Sequence, residues 1–120
     1  MNKDFLNIKC NVGLTHQIIQ GKWKLVILYV LSSETLRFGQ LHRALPDIRQ
    51  GYLAQQLKEL ERDGLIHREV YKQVPPKVEY SLTDIGKAFI PILQAMGVWG
   101  ANYRKCLQET YLDYKSSKSE

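Results

Sequence analysis

Cysteine is scarce in this chain: two residues, Cys10 and Cys106, stand far apart among 120. That leaves no disulfide framework and no cysteine pair at metal-ligand spacing, so free thiols in a reducing compartment are expected. The three histidines, His16, His42 and His67, share no metal spacing either, and neither a metal nor another cofactor is expected. No Ser/His/Asp set, no phosphate-cradling glycine loop and no carboxylate pair in a recognisable pocket can be found, which argues against an enzyme. Long hydrophobic runs are missing as well. No stretch approaches the ~18–20 apolar residues of a membrane span, and the opening MNKDFLNIK is interrupted by charges, unlike a signal peptide. The expectation is a cytoplasmic protein with no membrane partner.

What is present points to one small core. Apolar residues make up 44% of the chain, and the length suits a single domain over 1–120. Seventeen Lys and Arg against twelve Asp and Glu leave a net charge of +5, mildly favouring an anionic partner, nucleic acid first. Residues 12–20 read as a short amphipathic helix ended by Gly21. Residues 22–31 (KWKLVILYVL) are apolar nearly all round, as a central core helix requires. Leu36 and Phe38 bracket Arg37 in a brief extended segment, and a helix over 39–45 is stopped by Pro46. A strong helix over 50–63 ends at Gly64. Two alternating segments, LIHREVY and KVEYSLT, then flank the double proline Pro75-Pro76, which no strand interior accepts. Thr83 and Asp84 open a long helix reaching about Leu112, with Pro91 expected to kink it and a flexible tail over 113–120.

This order is mainly α with a small β-hairpin: a winged helix-turn-helix over about 12–83, with an added helix at each end. The stretches GKWKLVILYVL (21–31), LRFGQLHRALPDI (36–48), YLAQQLKELERDGLIHREVY (52–71) and VPPKVEYSLTDIGKAFIPIL (74–93) carry a resemblance to the HxlR-type transcriptional regulators. That family is related to the MarR group. A cysteine near the start, Cys10, and Trp99-Gly100 near the end complete the pattern, which covers roughly residues 10–100. The resemblance implies a homodimer that binds double-stranded DNA sequence-specifically, usually at a palindromic operator. Two departures stand out. The family commonly has Cys-Pro where this chain has Cys10-Asn11, and it opens the recognition helix with Ser-Gln-Lys where this chain reads Arg49-Gln50-Gly51. Without a hydroxyl at the cap, that helix start loses about 1 kcal/mol.

Projected at about 100° per residue, helix 50–63 turns Leu53, Leu57 and Leu60 inward and Gly51, Gln55, Lys58 and Arg62 outward. The start of the second helix of such a motif meets base edges in the major groove. Gln55 is the expected base reader, because a glutamine amide pairs bidentately with adenine N6 and N7. Gln50, Tyr52 and Gln56 are expected to flank it against bases or phosphates. Gly51 lets the backbone approach, Lys58 suits a phosphate, and Arg49 supplies the charge that the missing lysine would carry. At the hairpin, the prolines stiffen a tip from which Lys72, Gln73 and Lys77 project, with Arg68 near its base. Arg37 and Arg43 flank the first helix of the motif, where side chains clamp the DNA backbone. Each feature has a plainer reading: a solvated glutamine face, a proline tip that blunts a sheet edge, and ordinary surface arginines.

Along the last helix Phe89, Leu93, Met96, Trp99 and Tyr103 recur every three or four residues. A domain this small cannot cover such a stripe. Together with Leu14 and Ile18 of the first helix, these residues are expected to form a dimer interface. Cys10 follows Lys9 and precedes a helix; positive charge and a helix N-terminus both favour the reactive thiolate. Redox sensing and simple packing at the interface are both open for it. A winged-helix module that grips protein rather than DNA is the alternative function, kept open by the acidic Glu59, Glu61 and Asp63. Operator, regulated genes and any small-molecule effector are not legible.

Overall fold

A computed structural model describes residues 1–118. A single 3-10 turn, Lys3–Asn7, precedes α1 (Asn11–Ile19) and α2 (Lys24–Leu31). Then follow β1 (Leu36–Arg37), α3 (Phe38–Ala44), α4 (Gln50–Arg62), β2 (Ile66–Tyr71), β3 (Lys77–Leu82), α5 (Asp84–Ala88) and α6 (Ile90–Lys118). The chain forms two compact units, Met1–Ile90 and Pro91–Glu120.

The first unit is the winged helix. Its core is aliphatic: Ile27, Leu28 and Leu31 of α2, Leu41 of α3, Leu53, Leu57 and Leu60 of α4, and Leu36, Ile66 and Leu82 of the strands are all buried. α2 therefore sits centrally, as its nearly continuous apolar run requires. The helix-turn-helix is α3, the turn 45–49 and α4. Leu45 and Ile48 of that turn are buried, so the turn is pinned to the core at two points. The brief extended segment turns out to be a third strand. The sheet order is β1-β3-β2, antiparallel throughout, with Leu36 opposite Tyr80 and Tyr71 opposite Lys77 at the far end of the hairpin.

Two junctions fix how the hairpin leaves α4. Gly64, at φ +82°, takes the left-handed conformation that a helix end of this kind needs. The Leu65 N–H donates to the Leu60 carbonyl at 2.9 Å and the Gly64 N–H to the Glu61 carbonyl at 3.0 Å. These are the paired bonds of a Schellman motif, with Leu60 and Leu65 both buried as its apolar contact. Thr83 then ties the other end of the hairpin to the same place. Its hydroxyl donates to the Gly64 carbonyl at 2.6 Å and accepts the Gly86 N–H at 3.2 Å, capping α5. Gly86 is buried there, and a Cβ on it would collide with the Leu65 carbonyl oxygen.

The long terminal helix departs from expectation. Instead of one kinked helix from residue 84, α5 stops at Ala88 with Phe89 as its cap and α6 starts afresh at Ile90. Pro91 is the reason. In a continuous helix its ring would clash with the Lys87 carbonyl and leave that carbonyl without a donor, whereas in the first turn of α6 no N–H is required. Among the described residues, the second unit is α6 from Pro91 onward. It runs to Lys118, beyond the expected end near Leu112 and into the expected tail, whose last two residues lie outside the described ones. Among the described residues, no helix is long and apolar enough to cross a membrane.

Candidate nucleic-acid interface

α4 is strongly amphipathic, and its two faces fall where the projection put them. Leu53, Leu57 and Leu60 are fully buried, while Gln50, Gly51, Tyr52, Gln55, Lys58 and Arg62 are exposed. The Gln55 side chain makes no hydrogen bond within the chain among the described residues, so both ends of its amide are free for a partner. Nothing lies within 4 Å of a Cβ placed on Gly51, so that position leaves the helix start open to close approach. Arg49 occupies the N-cap position and gives no side-chain cap bond, as the missing hydroxyl implied. Its guanidinium is exposed beside the first turn.

Gln56 is the correction. It was placed with the contact residues, yet it is only 3% exposed and points into the protein. Its Nε2 donates to Glu59 Oε2 at 3.0 Å, and the same carboxylate holds Lys24 Nζ at 2.9 Å. The reason is angular: Gln56 lies three residues after Leu53 and four before Leu60, at the edge of the buried arc. Its amide is therefore not part of the outward face of α4. The sequence did hold a signal for its partner, since Lys24 is a lone cation at the head of an otherwise apolar helix, and such a charge needs an acid nearby.

The hairpin presents its charges unequally. Its tip, residues 72–76, carries a cis Val74–Pro75 bond, and Lys72 and Gln73 are exposed there. Lys77 is not free in the same way. It is half-buried, with Nζ 3.2 Å from Glu79 Oε1 and 5.0 Å from the centre of the Tyr71 ring. The cause lies in the register, which sets Glu69 directly opposite Glu79. Like charges so placed repel. Here Lys77 offsets Glu79, and His67 Nε2 meets Glu69 Oε2 at 2.5 Å. The charge of Glu79 raises the Tyr71 phenol above its ordinary range, with partial loss of hydration and a hydrogen bond to Glu79 adding to it. Between α4 and the hairpin runs a cleft of about 280 Å³, lined by Ala54, Leu57, Lys58, Glu61, Arg68 and Tyr80. Lys58 and Arg68 thus face one groove from two elements.

Arg37 and Arg43 are exposed at opposite ends of α3. The Arg37 N–H is held by Gln40 Oε1 at 2.8 Å, which completes the start of α3 and leaves the guanidinium outward. Of the three acidic residues at the end of α4 and its C-cap, two are engaged within the protein. Glu59 pairs with Lys24, and Asp63 is buried against Arg62 at 3.2 Å. That leaves Glu61.

The chain is matched over residues 18–108 by the family described as HxlR-like helix-turn-helix. This protein belongs to that family. It is 53% identical over 95 residues to the uncharacterized HTH-type transcriptional regulator YdeP of Bacillus subtilis, spanning 79% of this chain and 74% of that one. Among solved structures, the redox regulator HypR in its reduced form superposes with a TM-score of 0.79 at 46% identity, covering 83% of this chain and 99% of that one. Its oxidized form gives 0.73 at 48% identity, over 78% and 96% of the two chains. As an HxlR-like protein, the molecule is a transcriptional regulator built on a winged helix-turn-helix.

Cys10 is exposed and forms the N-cap of α1, with Cys106 also free and exposed. Leu14, Ile18 and Phe89 are half-buried. On α6, Met96, Trp99 and Tyr103 are exposed, Trp99 to 66%, and the two rings stack at 5.1 Å. Leu93 differs: at 6% exposure within one chain, it has almost no surface left for a second copy. Among the described residues, no three His, Cys, Asp or Glu side chains converge as a metal site would require.

Proposed function

We propose that this protein binds double-stranded DNA sequence-specifically as a homodimer, with α4 of each copy in successive major grooves of an inverted repeat. The observation that carries this reading is the outward face of α4. Gln55 is solvent-exposed with its amide unpartnered, and it is flanked by Gln50, Gly51, Tyr52 and Lys58, none of which has a buried role. A base reader must be free in this way, because an amide already bonded inside the protein has nothing to offer a base edge. Arg49, Lys58, Arg37, Arg43, Lys72 and, more weakly, Lys77 supply the sequence-independent phosphate contacts. The exposed stripe through Met96, Trp99 and Tyr103, continued by Leu107 and Tyr111, supports pairing, since a lone helix of 29 residues otherwise leaves large apolar side chains in water.

Redox or electrophile sensing by Cys10 is part of the same proposal. It rests on an exposed thiol at a helix start, after Lys9, and on the likeness to HypR, which is described as a redox regulator. A protein-gripping winged helix is the competing reading, and with Glu59 and Asp63 engaged internally it has lost two of its three acidic supports.

Selection from random duplexes followed by titration at several salt concentrations tests the proposal. The expected outcome is an inverted repeat bound by two copies, with affinity falling steeply as salt rises. Binding indifferent to both sequence and salt refutes the DNA reading. For the thiol, Cys10→Ser is expected to bind the selected duplex and to lose its response to oxidant; a full response in that variant removes Cys10 from sensing.

A further inference from the structure

α4 is held to the core by leucines, and apolar contacts of that kind are weakly directional. A helix that reads bases must nevertheless keep its outward residues at one angle about its axis. Among the described residues, the directional side-chain contacts on its inner side come from one chain of polar groups. Lys24, the first residue of α2, is 5% exposed, and its Nζ lies 2.9 Å from Glu59 Oε2. Gln56 Nε2 donates to that same oxygen at 3.0 Å. Gln56 and Glu59 are one turn apart on α4, and each is the sequence neighbour of an outward residue, Gln55 and Lys58.

The fourth member is Gly21, in the turn between α1 and α2. Gln56 Oε1 is buried and has no hydrogen-bond donor. A Cβ on Gly21 would lie 2.7 Å from it, so the glycine hydrogen in that place points at the oxygen, a weak C–H···O contact at best. Gly21 has φ +140°, which side-chain-bearing residues rarely adopt. Turn, amide, carboxylate and lysine thus form one continuous path from the α1–α2 turn to the middle of α4, with Gln56 and Lys24 buried and Glu59 half-buried. A well-packed apolar pair of similar volume would stabilise such a place as well or better than an ion pair. What the ion pair adds is direction.

We infer that Lys24 and Glu59 are positioning residues for DNA recognition: with Gln56 and Gly21 they set the rotation of α4 that aims Gln55 and Lys58. This rests on the reading of α4 as the groove-entering helix. Lys24 touches no base. It acts through Glu59, and the property it sets is discrimination between sequences rather than attraction to DNA.

The test uses the full chain and two synthetic duplexes of equal length, the selected inverted repeat and a scrambled version. The readout is the ratio of the two affinities at fixed salt, measured beside the melting temperature. In Lys24→Met/Glu59→Leu the polar path is replaced by apolar side chains of similar size. That variant is expected to melt at or above the parent temperature while its ratio falls by about tenfold or more. Lys24→Arg, which keeps the charge and the partner, is expected to retain a ratio near the parent's. Loss of folded protein alone would lower both affinities together and leave the ratio unmoved. A folded double variant with the parent ratio overturns the inference. If the double variant does not fold, Lys24→Met carries the test, since it removes the buried end of the ion pair while the half-buried Glu59 keeps access to water, and an unchanged ratio there is equally decisive. A parent that does not distinguish the two duplexes removes the DNA reading and this inference with it, whereas a discriminating parent with unmoved variants removes only the inference.

Discussion

Gln55 and Gln56 are neighbours with the same side chain and opposite surroundings, so truncating each in turn separates the two jobs of α4. Gln55 is exposed, and its side chain bonds to nothing within the chain among the described residues. Replacing it by alanine removes no internal contact and slightly favours the helix, so stability should stay within about 0.5 kcal/mol of the parent. The loss appears on DNA instead. One bidentate base contact is worth about 1–3 kcal/mol of discrimination, and a two-fold dimer carries two, giving about 2–6 kcal/mol. At 1.4 kcal/mol per decade this is a fall of about thirtyfold or more in affinity for the selected duplex. Gln56→Ala should behave the other way. It deletes a buried amide whose Nε2 serves the Glu59 carboxylate at 3.0 Å. A hydrogen bond to a charged group contributes about 1.5–3 kcal/mol, and its loss should register directly in urea unfolding followed by circular dichroism. Fluorescence anisotropy on matched and scrambled duplexes supplies the other axis. The reasoning fails if Gln55→Ala is as destabilised as Gln56→Ala, or if Gln55→Ala binds the selected duplex as the parent does.

The two lysines of the hairpin should differ. Lys72→Ala is expected to lower the salt slope of binding by about 0.9 per copy, whereas Lys77→Ala should lower it less and loosen the hairpin, because Lys77 already answers Glu79 and covers Tyr71; equal slope changes would contradict this. Arg49→Ser restores a hydroxyl cap to α4 and should raise stability by about 1 kcal/mol while flattening the salt slope, a combination readable from one melt and one titration series. Gly86→Ala drives a methyl group into the Leu65 carbonyl and should destabilise the fold by about 1–3 kcal/mol in chemical unfolding; a neutral result would mean that α5 can shift without disturbing the Thr83 junction.

Much of this architecture was open to reading along the chain. Leu53, Leu57 and Leu60 recur at helical spacing, so the inner and outer faces of α4 follow from period alone. Gly64 marked the end of that helix because only a left-handed residue allows the two bonds that Leu65 and Gly64 make there. The double proline announced the hairpin tip. Pro91 signalled a disturbance in the last helix, and the outcome, a fresh start at Ile90, follows from the same missing N–H.

Gln56 shows where such reading stops. Periodicity places a residue on an arc, and Gln56 lies near the boundary of that arc, where polarity argues for solvent and angle argues for the core. The decision came from Lys24, distant in the chain and brought by α2 to within 2.9 Å of Glu59, and from Gly21, whose missing side chain leaves room for the amide. Lys77 was settled likewise, by a strand register that puts Glu69 opposite Glu79 and so gives the lysine a local partner. Local spacing by itself determined which elements form and which way most side chains face, because both depend on backbone geometry within a few residues. Which charges are spent inside the protein and which remain for DNA was decided only in three dimensions, since pairing depends on distances that folding alone creates.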